Sequence, residues 1–212
     1  MDGYPVIDRH EAQTWLYPTN YEVREYQLAI TRKALFQNTL VCLPTGLGKT
    51  LIASVVMRAY YKWFPDGIIV FLAPTKPLVA QQLKACHDIM GIPVEDTAHL
   101  EGSVSADKRE RIWFDHRVFF CTPQTMSNDL ANDRLNAKKV VCVVFDEAHK
   151  ATNGYAYTQI MEELAARRAR FRVLALSATP GSDTRRVQQV IDNLHIAAIE
   201  IRAGRTNIQI GD

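Results

Sequence analysis

Three short stretches hold residues whose types and spacing could do chemistry. They are TGLGKT (Thr45–Thr50), DEAH (Asp146–His149) and LSATPG (Leu176–Gly181). The first lies in LVCLPTGLGKTLIASVV, which predicts strand, loop and helix in that order. Gly46 and Gly48 permit the tight backbone geometry that aims several N–H groups at phosphate oxygens. Those amides open a helix, where the dipole also favours an anion. Thr45 belongs to the same loop, Lys49 supplies a point charge for terminal phosphates, and the Thr50 hydroxyl can ligate Mg²⁺. The strict pattern GxxxxGK(S/T) asks for Gly where this chain has Leu43, while the TGxGKT core is intact.

In VVCVVFDEAHK an apolar run stops at two adjacent acids. Mg²⁺ between the phosphates of ATP takes oxygen ligands, one a carboxylate that commonly acts through water. Asp146 is therefore assigned to the metal and Glu147 to the attacking water. His149 has three readings: metal ligand, surface residue, or polar coupler toward the motif after the last strand. The third fits best, and there is no HExxH pattern to suggest catalytic zinc.

These residues need a scaffold that brings separate loops to one edge. Apolar runs at Thr39–Leu43, Gly67–Ala73, Arg117–Cys121, Val140–Phe145 and Phe171–Leu176 predict five strands. Most are apolar throughout, as in strands buried on both faces of a parallel sheet. Helical patterns sit between them at Arg24–Gln37, Lys49–Trp63, Pro77–Met90, Ala106–Phe114, Tyr155–Arg168 and Asp183–Leu194. The alternation predicts an α/β fold, a doubly wound parallel β-sheet flanked by helices, with ligands at the carboxyl ends of the strands. The polar motifs follow Leu43, Ala73, Cys121, Phe145 and Leu176, all of them strand ends.

The 212 residues are 47% hydrophobic and 23% charged, enough for a full core. A net charge of +2 means that any contact with a polyanion must be local. Basic helix ends such as AARRAR (165–170) are read as solvated cations on the helix dipole. The four cysteines form no CxxC pair, and three of them lie inside apolar runs. That argues against disulfides and zinc and suits a reducing compartment. No apolar run approaches the about 18 residues of a membrane span and no signal-peptide core is present, so a soluble intracellular protein without membrane partners is expected.

TGLGKT, DEAH and LSATPG in this order resemble motifs I, II and III of the superfamily 2 helicases. REYQ (Arg24–Gln27) resembles the glutamine motif, APTKPLVAQQ (Ala73–Gln82) motif Ia, and TPQTM (Thr122–Met126) motif Ib. YPTNYEVREYQLAI, LPTGLGKTLIA, WFPDG, DEAHKA…YAY and LALSATPGSD resemble the Fanconi anaemia group M helicase family, with its fungal and archaeal Hef relatives. The match runs from about Trp15 to Arg202. Thr152, Asn153 and Gly154 replace the family's usual Leu-Gly-Asn; either version supplies a turn before a helix.

The resemblance implies a RecA-like P-loop NTPase domain over residues 21–203, a lead-in segment at 1–20 and a tail at 204–212, with the second RecA-like domain absent. It implies the cofactors ATP and Mg²⁺, with Gln27 on adenine and Arg24 supporting it; read alone, REYQLAI is an ordinary helix start. Thr75, Lys76, Thr122, Pro123 and Gln124 are expected to touch a nucleic-acid backbone. Gly102 in LEGS could allow close approach of the same strand, or be a plain turn glycine. Ser177 and Thr179 would couple the two sites through Asp146 or His149, and Tyr155 and Tyr157 would be packing residues. The implied function is the motor lobe of a nuclear DNA helicase or translocase that remodels branched or duplex DNA, independently of sequence, in DNA repair. Its partners would be DNA, a second RecA-like domain carrying an arginine finger, and repair-complex proteins. The 212-residue chain alone is expected to bind ATP and DNA but to turn over little. The alternatives are an RNA helicase lobe of the Dicer or RIG-I type and a non-catalytic binding module.

Overall fold

The computed structural model describes residues 3–179, 181 and 183–202, so the expected tail at 204–212 lies outside the described residues. Seven strands form one parallel sheet: β1 (Thr39–Cys42), β2 (Ile68–Leu72), β3 (Thr97–Leu100), β4 (Val118–Cys121), β5 (Val140–Phe145), β6 (Arg172–Ser177) and β7 (Ala198–Ile201). Their order is β3-β4-β2-β5-β6-β1-β7. The helices are α1 (Glu25–Phe36), α2 (Lys49–Trp63), α3 (Lys76–Met90), α4 (Ala106–Asp115), α5 (Pro123–Ala131), α6 (Ala156–Ala166) and α7 (Thr184–Asn193).

The five expected strands are present, and two more, β3 and β7, close the sheet at either edge. An edge strand needs only one apolar face, so TAHL and AIEI lack the continuous apolar run of their buried neighbours. Helix α5 is likewise additional. Its sequence PQTMSNDLA is rich in turn-forming side chains, yet Pro123 sits in the first turn, where its missing N–H costs nothing.

Two cores cover the two faces. One joins Ile30, Leu35, Ile52, Met57, Val79 and Met90 of α1, α2 and α3 to the sheet. The other joins Trp113, Met126, Leu130, Ile160, Leu164 and Val190 of α4 to α7. Burying each of these larger side chains stabilises the fold by about 1.5–3 kcal/mol relative to exposure. On the second face Asp129, fully buried, accepts from Arg109 Nε and Nη2 at 2.8 and 2.7 Å and from Trp113 Nε1 at 2.9 Å, tying α5 to α4. All four cysteines are buried.

Strand β5 contains an irregularity that matters for the site. Val140 pairs with Ile68, but Cys142 pairs with Ile69, so Val141 is an extra residue. Val141 and Cys142 consequently both join the α1–α3 core, after which Val143, Val144 and Phe145 alternate. A one-residue bulge changes the phase of everything downstream. Asp146 follows Phe145 and so returns to the α1–α3 side, where α2 begins with Lys49 and Thr50.

Arg167 does more than complement a dipole. Its guanidinium donates to the Leu130 carbonyl at 2.8 Å and pairs with Asp133 and Glu163. The lead-in segment is packed on the same body: Asp8 N–H donates to the Trp63 carbonyl at 2.7 Å, and Trp63 Nε1 donates to the Thr14 carbonyl at 2.9 Å. Among the described residues, no helix is long and apolar enough to cross a membrane.

Candidate active site

The carboxyl edge of the sheet holds a cleft of about 570 Å³. Arg24, Gln27, Thr45, Gly46, Gly48, Lys49, Thr50, Asp146 and Glu147 all line it, so nine residues from three separate motifs become one concavity. Tyr21, Gln81, Gln82 and Ala178 also line it and were not among the expected residues. A second cleft, about 460 Å³, opens at the opposite edge between Asp66, Asp96, Trp113 and Arg117 and carries none of the expected residues.

The loop before α2 is built as a phosphate cradle requires. Gly46 and Gly48 have φ of 84° and 96°, in the region that favours glycine. At Gly48 a Cβ would lie 2.1 Å from Gln27 Nε2, so a side chain there would displace the Gln27 amide as well as strain the backbone. Gln27 is buried and donates from Nε2 to the Leu47 carbonyl at 3.0 Å; the Tyr26 hydroxyl donates to the same oxygen at 2.9 Å. Gln27 thus braces the loop besides lining the cleft. Arg24 is the N-cap residue of α1 at the cleft's rim.

Lys49 Nζ donates to the Leu43 carbonyl, and the Thr50 hydroxyl donates to Gln82 Oε1 at 3.2 Å. Burial holds the Lys49 ammonium below its usual range, opposed by the negative charges of Asp146 and Glu147. Asp146 is buried, and burial raises its carboxyl above the ordinary value; the Glu147 N–H bond and the Lys49 charge oppose the shift. Glu147 has φ 51° and ψ 47°, a left-handed conformation uncommon outside glycine. Its N–H turns back to Asp146 Oδ1 at 2.9 Å. Tyr157, fully buried, donates from its hydroxyl to the Asp146 carbonyl at 2.6 Å and so fixes the strand end from the other face. Its packing role includes holding this turn. Gly154 in the following turn has φ 85°.

His149 bridges outward. Its Nδ1 lies 3.4 Å from Glu147 Oε2 and 3.4 Å from Ser177 Oγ. The Ser177 hydroxyl donates to the Thr179 carbonyl at 2.6 Å. With that hydrogen committed, Ser177 Oγ is left to accept, so it bonds the His149 tautomer that carries its hydrogen on Nδ1. Ser177 thus meets His149, and Thr179 joins through its backbone. His149 and Thr179 line an adjoining cleft of about 370 Å³ with Asp183 and Arg186.

The expected backbone-contact residues are not in the main cleft. They cap strands β2, β3 and β4, which are adjacent at the other half of the same edge. Thr75 and Lys76 begin α3, and Thr122, Pro123 and Gln124 begin α5, so two helix N-termini face one side. Gly102 lies in the loop after β3; a Cβ there would meet Thr125 Oγ1 at an ordinary 3.6 Å. Lys76 Nζ lies 3.3 Å from Glu101 Oε2, a contact absent from the sequence-based expectations.

The donor set fits a magnesium-bound nucleoside triphosphate. Lys49 and Thr50 spend their hydrogens on oxygen acceptors beside a buried carboxylate, and the loop amides sit at a helix start.

A family model described as "Type III restriction enzyme, res subunit" matches residues 20–182. The Fanconi anemia group M protein homolog of Mus musculus is 59% identical over 189 residues, 89% of this chain and 9% of that protein. The ATP-dependent DNA helicase fml1 of Schizosaccharomyces pombe is 51% identical over 196 residues, 92% of this chain and 24% of that one. The crystal structure of the Pyrococcus furiosus Hef helicase domain matches with a TM-score of 0.80 at 37% identity, covering 95% of this chain and 41% of that chain. The chain thus spans 9% and 24% of the length of these two curated relatives.

Proposed function

Since this chain belongs to the ResIII helicase family and its relatives include Fanconi anaemia group M, Fml1 and Hef helicases, we propose that it is the ATP-binding motor lobe of a DNA helicase or translocase acting in DNA repair. In this reading residues 21–203 form the first RecA-like lobe, 1–20 lead into it, and 204–212 trail from it. ATP hydrolysis needs a second RecA-like lobe that supplies an arginine finger. The observation that carries the reading is the convergence of Lys49, Thr50, Asp146 and Glu147 on one cleft.

Mg²⁺, when bound, supplies charge neutralisation between the terminal phosphates. Thr50 and Asp146 would hold it. Lys49 leaves the Leu43 carbonyl for the phosphate oxygens, and the amides around Gly46 and Gly48 bind them. Glu147 accepts a proton from the attacking water and orients it, with His149 holding the carboxylate from behind. Gln27 and Arg24 flank the adenine end. Thr75, Lys76, Gly102, Thr122, Pro123 and Gln124 follow the backbone of DNA without reading its sequence. Ser177 and Thr179 carry the state of one site to the other through His149. The DEAH label, a nuclear location, branched DNA as preferred substrate and repair-complex partners belong to the same reading.

The test is ATPase activity of a protein carrying both lobes, with branched DNA and with double-stranded RNA as stimulants. Stimulation by branched DNA supports the reading. Stimulation by RNA alone favours the RNA helicase alternative, and none with either favours a binding module.

A further inference from the structure

Helices α2 and α3 leave the same sheet edge, run in the same direction and are joined by two polar rungs. The Thr50 hydroxyl donates to Gln82 Oε1. One turn on, the Ser54 hydroxyl donates instead to the Thr50 carbonyl of its own helix at 2.7 Å. One turn further, the Arg58 guanidinium donates to the Met90 and Gly91 carbonyls, satisfying groups that the end of α3 would otherwise leave unpaired. Residues 50 and 58 reach residues 82 and 90, so the offset is the same at both ends of the seam. Apolar packing alone would tolerate sliding; two rungs at the same offset do not.

The ladder begins at the phosphate loop, since Thr50 is its first rung. Its other rail, α3, has Thr75 and Lys76 at its N-terminus, six residues or about 9 Å of helix before Gln82. One rigid helix therefore touches both proposed ligand sites. A threonine hydroxyl has one hydrogen and two lone pairs. While Gln82 takes the hydrogen, the lone pairs of Thr50 point elsewhere, as a metal ligand requires.

We propose that the α2–α3 ladder couples the nucleic-acid edge to the nucleotide cleft, with Gln82 as the positioning residue that orients the Thr50 hydroxyl. The inference rests on the motor-lobe reading above. Gln82 stands in the wall of the nucleotide cleft and acts on the metal site through Thr50.

The experiment uses the 212-residue chain, a fluorescent ATP analogue, Mg²⁺ and a labelled DNA duplex. Gln82→Leu removes the acceptor at similar volume, and Gln82→Glu restores an acceptor. In Gln82→Leu the Mg²⁺ concentration for half-maximal analogue binding rises about fivefold, the worth of one ordinary hydrogen bond. Analogue binding in EDTA is unchanged. The factor by which DNA alters analogue affinity, measurable in either direction, falls toward one. Gln82→Glu restores the wild-type Mg²⁺ dependence and the coupling. If Gln82→Leu keeps both at wild-type values, even with lowered thermal stability, or if Gln82→Glu fails to restore them, the proposal is overturned. Wild-type protein that binds no Mg²⁺–nucleotide overturns the motor-lobe reading with it; wild-type coupling untouched by the leucine variant overturns the ladder alone.

Discussion

The backbone N–H of Glu147 donates to Oδ1 of Asp146 at 2.9 Å, and at that turn the two adjacent carboxylates part company. Asp146 stays buried at the strand end, while the left-handed turn at Glu147 carries its carboxylate onward to His149. Backbone strain of this kind persists only where the surroundings enforce it. Here the Tyr157 hydroxyl on the Asp146 carbonyl contributes to that enforcement.

Glu147→Gln keeps the side-chain volume but removes the carboxylate that we propose as the base. In a two-lobed protein, kcat for ATP should fall at least about a hundredfold, the ordinary worth of a positioned base, while nucleotide affinity holds. Steady-state ATPase and equilibrium binding on the same preparation check this. Unchanged turnover would remove Glu147 from its role.

The pH dependence of nucleotide binding follows from two opposed shifts. Burial raises the Asp146 carboxyl above 3.8, so its ionised form is a cost to the fold that disappears as pH falls through the raised value. Metal binding needs the ionised form, so affinity for Mg²⁺–nucleotide falls over that same window and binding there releases protons. Burial lowers the Lys49 ammonium below 10.5, and phosphate oxygens restore it. Affinity therefore falls as pH rises through the lowered Lys49 value, and binding there takes up protons. Calorimetry in two buffers of different ionisation enthalpy gives the proton count on each flank. Reversed signs would contradict the assignment.

The Lys76–Glu101 pair predicts that the nucleic-acid edge is partly neutralised by its own chain. The Ser103 hydroxyl donates to the same Glu101 oxygen at 3.2 Å and holds the carboxylate in place. Glu101→Gln should tighten DNA binding and steepen the salt dependence by about 0.7–0.9 in log–log slope, one further phosphate contact. In a Lys76→Gln background the gain should vanish. An equal gain in both backgrounds would show general repulsion instead.

Much of this was legible in the sequence where physical constraint is local. A phosphate loop must follow a strand and open a helix, and TGLGKT between LVCL and LIASVV shows all three parts. Strands β1, β2, β4, β5 and β6 are buried on both faces and announce themselves as apolar runs. What stayed hidden depends on long-range partners. The β5 bulge cannot be seen in VVCVVF, because a uniformly apolar strand carries no alternation to reveal its phase. Edge strands β3 and β7 are half polar, and α5 begins in turn chemistry. Gln82 lay in plain view within APTKPLVAQQ, but its meeting with Thr50 follows from α2 and α3 packing side by side. The same holds for Gln27, whose amide braces Leu47 twenty residues away.

The central claim, that Lys49 and Asp146 face one another across a Mg²⁺–nucleotide cleft, is tested most directly by equilibrium binding of a fluorescent ATP analogue with Mg²⁺. Wild-type protein should bind saturably and lose affinity when Mg²⁺ is chelated. Lys49→Ala should bind about 10- to 100-fold more weakly, as expected for loss of hydrogen bonds from a charged donor. Binding by Lys49→Ala equal to wild type, at every Mg²⁺ concentration, would contradict the account.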